Sequence, residues 1–187
     1  MVLSNHNPDA AIFVPTKLEA AIRSVQPYFK ELNSLDKAAL AQFSLIWTIF
    51  ESRIAEKLSL EGRSVNAKQI CIYSDHQDVN CLPQNQTNQA VEFWHQRYID
   101  AGQPNASFGS LNFKDWDKKE LVIATLKCTE HSPENRKAAL IIIYRIRCNL
   151  FHGTKWEYGM QDQRENFQHG VNVMLEALGA DAGLLPV

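Results

Sequence analysis

The chain has 187 residues, of which 45% are hydrophobic and 21% charged, and its formal net charge is −2. This composition is typical of one folded domain and excludes the collagen-like and disordered classes of protein. The small negative charge argues against a protein that is coated in lysine and binds nucleic acid non-specifically. It leaves room for a local basic patch, because binding depends on how charge is distributed.

The cysteines and the N-terminal residues indicate a cellular compartment. The four cysteines form no C-x-x-C pair, and the first fifteen residues lack the basic start and apolar core of a secretory signal. No apolar run approaches the roughly 18 residues that a membrane-spanning helix needs. We therefore expect a cytoplasmic protein with reduced thiols and no membrane association.

Two helices are predicted in the first third of the chain. From about residue 16 to residue 32 apolar residues recur at helical spacing, and Pro27 kinks this helix or ends it early. The second helix is clearer and ends near Gly62. Its apolar stripe is about five turns long and consists of Leu40, Phe43, Trp47, Phe50, Ile54 and Leu58.

Residues 63–112 differ in composition, since they are rich in Asn, Gln, Ser, Pro and Gly. The spacing of Val91, Trp94 and Tyr98 predicts a short helix within them, with these three residues on one face. The stretch "FWHQRY" mixes aromatic and basic groups as base-stacking surfaces do, but a helix with Trp94 and Tyr98 in the core explains it more simply. We expect a loop-rich insertion laid over a bundle, without a core of its own. Any strand should be confined to it.

Three further helices are predicted after this segment. The first lies between about residues 114 and 129. The second begins at "SPE", with Ser132 as its N-cap and Glu134 at the positive end of its dipole, and Gly153 ends it. The third runs from about Asp162 to Leu178. The fold class predicted is all-α, with bundle helices over about 16–60 and 114–180.

The second of these late helices runs from the apolar "AALIIIY" into "RIRCNLFHGTK". Between residues 136 and 155 there are five basic residues and no acidic one. At about 100° per residue, Arg145, Asn149 and His152 fall on one stripe, with Arg147 on a neighbouring face. A histidine near neutrality and arginines that neutralise phosphate suit chemistry on a phosphodiester. A capping histidine with arginines that reach to water is the simpler alternative.

The stretch "YRIRCNLFHGTKW" resembles the signature of the HEPN superfamily, an arginine followed by four to six residues and a histidine. Arg147 and His152 match with four intervening residues. Arg145 satisfies the six-residue form, although the family's usual phrasing aligns with Arg147. Cys148 stands where the family most often has asparagine, and Asn149 follows immediately and can serve instead.

An earlier stretch, "WTIFESRI", is similar to the second bundle helix of the superfamily, which frequently carries a glutamate facing the motif. Glu51 matches that position. The resemblance implies a HEPN-like helical bundle that cleaves RNA as a homodimer, without metal or cofactor. It also implies toxin–antitoxin, phage-defence or RNA-processing settings, with an antitoxin or regulatory protein as a further partner.

In this interpretation a ribose 2′-hydroxyl attacks the adjacent phosphorus. His152 transfers protons, Arg147 stabilises the phosphorane, and Asn149 orients the substrate or the histidine. Since one imidazole cannot be base and acid in the same instant, we expect two copies of His152 to meet in a dimer. Three further residues are expected to support the site: Arg145, Glu51 and Lys155. Lys155 is equally well explained as a surface lysine.

Other interpretations remain open. The stretch "CIYSDHQDVNC" holds possible metal ligands, but it lacks the tight pairs that zinc sites favour, so we expect a polar surface loop and no metal. The whole chain could be a non-catalytic HEPN-type module that binds a nucleotide or a protein. A third interpretation is an antitoxin-like or scaffold bundle without a ligand.

Overall fold

The computed structural model describes residues 17–26, 29, 32–61, 65–128, 130–151 and 162–179, which are mostly helical. The helices of this part are α1 (Lys17–Val25), α2 (Ser34–Lys57), α3 (Ala67–Asp75), α4 (Gln77–Asn80), α5 (Asn85–Tyr98), α6 (Ala106–Gly109), α7 (Lys119–Lys127), α8 (Glu134–Phe151) and α9 (Arg164–Ala177). Strands β1 (Ile99–Asp100) and β2 (Gln103–Pro104) pair antiparallel between α5 and α6. The predicted all-α class is confirmed.

Helix α2 begins where its sequence supplies a cap. The Asn33 side chain accepts a hydrogen bond from the Asp36 N–H at 2.9 Å, and the Asp36 carboxylate accepts one from the Asn33 N–H at 3.2 Å. This reciprocal pair satisfies two donors that a helix start leaves unpaired. The predicted apolar stripe then packs mainly against α9, and its buried members are Phe43, Trp47, Phe50 and Ile54.

Helix α8 lies at the centre of the core. It packs against α3, α5, α7 and α9, and its residues 138–143 are completely buried. Because other helices cover most of its sides, its polar side chains must find partners inside the protein.

None of the described helices is long and apolar enough to span a membrane.

The expectation that residues 63–112 are rich in loops and lie over the bundle is wrong, whereas both strands of the described residues fall within this segment, as predicted. Residues 63–112 include α3, α4, α5 and α6, and Ile70, Tyr73, Trp94 and Tyr98 belong to the same buried cluster as the residues of α2 and α8. The Trp94 Nε1–H and the Tyr98 hydroxyl both donate to Oδ1 of Asn166 in α9, at 2.9 and 3.3 Å. Trp94 and Tyr98 therefore lie in the core, as the simpler interpretation of "FWHQRY" predicts.

The polar composition of this segment serves helix starts rather than loops. The Asn66 side chain caps α3 by accepting from the Gln69 N–H, and the Asn105 side chain caps α6 by accepting from the Phe108 N–H. Asparagine and glutamine are typical of loops, but at these positions they satisfy backbone donors of short helices.

The stretch "CIYSDHQDVNC" is also helical rather than a loop, since it forms the end of α3 and all of α4. Its Asp78 carboxylate accepts hydrogen bonds from the Lys57 ammonium and from the His76 ring. These two hydrogen bonds hold the pKa of Asp78 at about 2. The polar residues here join α4 to the end of α2.

Candidate functional site

The last turns of α8 carry Arg147 on the side that faces α2. Its Nη2 atom lies 3.8 Å from Oε2 of Glu51. Its guanidinium carbon lies 5.6 Å from the ring centre of Trp47 and 5.1 Å from that of Phe151. The side chains of Arg147 and Glu51 are 26% and 27% exposed. Two helices thus bring an arginine and a carboxylate together where a ligand from solvent can reach them.

Glu51 is held in place by its own helix. The Trp47 Nε1–H donates to Glu51 Oε2 at 3.1 Å, across one turn of α2. The same oxygen is too far from Arg147 for a short hydrogen bond. Charge and two aromatic rings therefore orient the Arg147 guanidinium without a tight bond to Glu51.

Arg145 points to the other side of α8 and is bound within the protein. Its Nη1 atom lies 3.0 Å from Oδ2 of Asp117. Its Nε and Nη2 atoms donate to the carbonyls of Leu111 and Asn112, at 3.1 and 2.6 Å. The Arg145 side chain is 6% exposed, and that of Asp117 is completely buried. Arg145 fastens the segment after α6 to α8, and the structure does not bring it to Arg147.

Asn149 shares the face of Arg145, as the helical spacing predicts. Its Nδ2–H donates to the Ser110 carbonyl at 2.9 Å, and the residue is 2% exposed. The expectation that Asn149 orients the substrate has no support in this geometry, because the side chain is buried on the side away from Arg147. Its bond to Ser110 holds the end of α8, and the alternative in which Asn149 orients His152 involves a residue outside the described ones.

Two residues of the predicted site, His152 and Lys155, lie outside the described residues. The described part of α8 ends at Phe151, which immediately precedes His152 in the chain.

The basic run of the sequence does not form a basic surface among the described residues. Arg136 is 1% exposed, and it donates to the carbonyls of Val79, Leu82 and Pro83. Lys137 is 15% exposed and pairs with Asp75 at 2.7 Å and with Glu134 at 3.0 Å. With Arg145 bound to Asp117, Arg147 is the most exposed of the four described basic side chains in this run.

Two neighbours of Arg147, Trp47 and Phe151, are not among the site residues that the sequence predicts. The sequence places Trp47 in the apolar stripe and predicts no role for Phe151. Each lies four residues from a residue of the predicted site, Trp47 from Glu51 and Phe151 from Arg147, and this spacing places side chains on one helix face. That spacing was the available signal.

No protein-family model, no curated protein and no solved structure matches this chain. The resemblance to the HEPN superfamily therefore rests on the residues of the motif and on Glu51.

Proposed function

We propose that this protein is a metal-independent endoribonuclease of HEPN type. The observation that supports this best is the placement of Arg147, a partly exposed guanidinium held near Glu51 at the end of a buried helix, five residues before a histidine. A cation there offsets the negative carbonyl end of the helix and can bind a phosphate oxygen. The burial of Arg145 in its pair with Asp117 favours Arg147 as the arginine of the motif.

The reaction is an intramolecular transesterification of RNA. The 2′-oxygen of a ribose attacks the adjacent phosphorus and loses its proton to a base. The bond from phosphorus to the 5′-oxygen of the next nucleotide breaks, and that oxygen gains a proton from an acid. The products are a 2′,3′-cyclic phosphate and a free 5′-hydroxyl.

Each residue of the proposed site has its own role in this reaction. His152 moves the protons, and a homodimer supplies one copy as base and another as acid. Arg147 stabilises the negative charge of the phosphorane. Asn149 and Arg145 act indirectly, because their bonds to Ser110 and to Asp117 position the end of α8. Lys155 holds a flanking phosphate.

The biological setting follows the family resemblance. The enzyme acts on RNA in the cytoplasm, in a toxin–antitoxin or phage-defence system. An antitoxin or regulatory protein controls it, because an uncontrolled ribonuclease harms the cell that makes it.

The test is cleavage of total RNA by purified protein in EDTA. Wild type should produce fragments whose 5′-hydroxyl accepts a phosphate directly, while the His152→Ala variant should be at least about 10²–10⁴-fold slower. Equal cleavage by both proteins would show a contaminating nuclease and would refute the proposal.

A non-catalytic module that binds a nucleotide or a protein is the second candidate. It is favoured by the contacts of Arg147 themselves, since a loose ion pair between two aromatic rings also serves packing between α2 and α8. In that case wild type should bind RNA or a protein partner in EDTA and leave the RNA intact.

A further inference from the structure

Phe151 is a large apolar side chain left in water at the end of α8. It is 58% exposed, whereas the residues just before it, Asn149 and Leu150, are 2% and 5% exposed. Exposing an aromatic ring forfeits the free energy that its burial would release. A ring at this place is available for a ligand.

The surroundings of Phe151 indicate the chemistry of that ligand. The Arg147 guanidinium lies over one face of the Phe151 ring, with its carbon 5.1 Å from the ring centre, and no aromatic ring in the described part of the chain stacks on Phe151. A cation on one face of an exposed ring matches the two parts of a nucleotide, because the cation can bind the phosphate while the base stacks on the opposite face of the ring. Trp47 lies near the same guanidinium but is 2% exposed, so Phe151 is the ring that a base can reach.

We propose that Phe151 binds the base of a nucleotide next to the phosphate that Arg147 holds, by stacking on it. This inference rests on the proposed function. In a duplex both faces of a base are covered by its neighbours, so stacking on Phe151 requires an unpaired base. The protein therefore takes unpaired RNA at this position, and Phe151 contributes to substrate binding rather than to proton transfer.

The experiment compares kcat/KM for a single-stranded RNA between wild type, Phe151→Leu and Phe151→Trp. Leucine keeps an apolar side chain but has no aromatic face, whereas tryptophan keeps the face. Loss of base stacking on an aromatic side chain corresponds to about 5- to 140-fold in affinity. We expect Phe151→Leu to lose kcat/KM in this range, chiefly through a higher KM, and Phe151→Trp to stay close to wild type. Thermal unfolding checks that both variants fold.

RNA that lacks a single base separates stacking from packing. With the base removed at the contacted nucleotide, wild type should fall to the level of Phe151→Leu, and the variant should lose nothing further. If Phe151→Leu is slower but no missing base reproduces its defect, the ring only packs the end of α8 and the inference is wrong.

The outcomes also separate this inference from the proposed function. Cleavage by wild type with unchanged kcat/KM in Phe151→Leu would overturn the inference and leave the ribonuclease intact. If wild type does not cleave RNA, the ribonuclease proposal fails. Fluorescence anisotropy of a labelled single-stranded RNA on wild type and on Phe151→Leu then decides the base contact, and equal affinities overturn it.

Discussion

Arg145 and Arg147 are two residues apart in α8, and their guanidinium groups have different surroundings. Two residues along a helix correspond to a rotation of about 200°, so the two side chains leave α8 on nearly opposite sides. Arg145 meets the buried carboxylate of Asp117, and Arg147 meets the partly exposed Glu51. The first is expected to matter for stability and the second for chemistry.

Replacement of Arg147 by alanine should lower RNA cleavage by about 10²–10³-fold, since it removes the donor that stabilises the developing charge. The free energy of unfolding should fall by no more than about 1 kcal/mol, because the pair with Glu51 is loose and partly exposed. Initial rates of cleavage and urea unfolding measure the two effects. Full cleavage by Arg147→Ala, with cleavage lost in a folded Arg145→Lys variant, would identify Arg145 as the motif arginine.

Replacement of Arg145 by alanine should lower the free energy of unfolding by about 3–5 kcal/mol, because it leaves the buried charge of Asp117 without its partner. Urea unfolding measures the loss. The matched control is the double variant Arg145→Met with Asp117→Asn, which removes both charges and keeps an acceptor for the Lys114 N–H. This double variant should be more stable than Arg145→Ala alone. If it is not, the unpaired charge is not the cause.

At the scale of helices, α2 and α9 approach each other closely at Gly170. A Cβ atom at Gly170 would lie 2.9 Å from Cε2 and 3.2 Å from Cδ2 of Phe43. The Phe43 ring is completely buried and packs on Phe167, with ring centres 5.0 Å apart. It therefore has little room to move, and the absence of a side chain at position 170 sets the distance between the two helices.

Replacement of Gly170 by alanine should lower the free energy of unfolding by up to about 2.5 kcal/mol, the net of an overpacking cost of about 1–3 kcal/mol and a gain of about 0.5–1 kcal/mol in helix propensity. Thermal or urea unfolding measures it. Gly109→Ala is the control, since a Cβ there meets nothing within 4 Å, and it should be at least as stable as wild type, because only the propensity gain applies. A Gly170→Ala protein more stable than wild type would show that the Phe43 ring yields.

At the scale of the whole molecule, the proposed chemistry depends on assembly. One imidazole cannot accept and donate a proton at once, so we expect a homodimer in which both copies of His152 serve one reaction. Light scattering that shows a monomer at high protein concentration would count against it. The assembly and the chemistry can also be tested together by mixing subunits.

Wild type is mixed with His152→Ala at constant total protein, and the subunits are allowed to re-equilibrate. The remaining cleavage rate should be proportional to the square of the wild-type fraction, because only a dimer with two histidines is active. A linear decrease would mean that each subunit acts alone. The measurement is the initial rate of RNA cleavage in EDTA.

Several helices were predictable because their signals are local. The apolar stripe of α2 and the extent of α9 depend on spacing within a single helix, and α8 begins at Glu134, close to its predicted start. The predicted Ser132 cap is not formed, because the Ser132 hydroxyl donates to Oδ1 of Asn135 and the Asn135 N–H bonds the Ser132 backbone carbonyl. The predicted start of helix α7 was less accurate, because the helix begins at Lys119 rather than near residue 114. Asp117 turns inward before it, accepts from the Lys114 N–H at 2.8 Å and pairs with Arg145. That pair joins residues distant in the chain, and no local pattern reveals it.

The sequence by itself determined the helical class, the place of Arg147 near the end of an apolar helix and the helix face shared by Arg145 and Asn149, since periodicity alone decides these. Only the tertiary structure decided which polar groups of α8 stay accessible. Four helices pack around α8, and burial compels each charge to find a partner: Arg145 takes Asp117, and Arg136 takes backbone carbonyls. Arg147 faces α2 near Glu51 and keeps contact with water, because the partners available to a side chain depend on which distant segment folds against it.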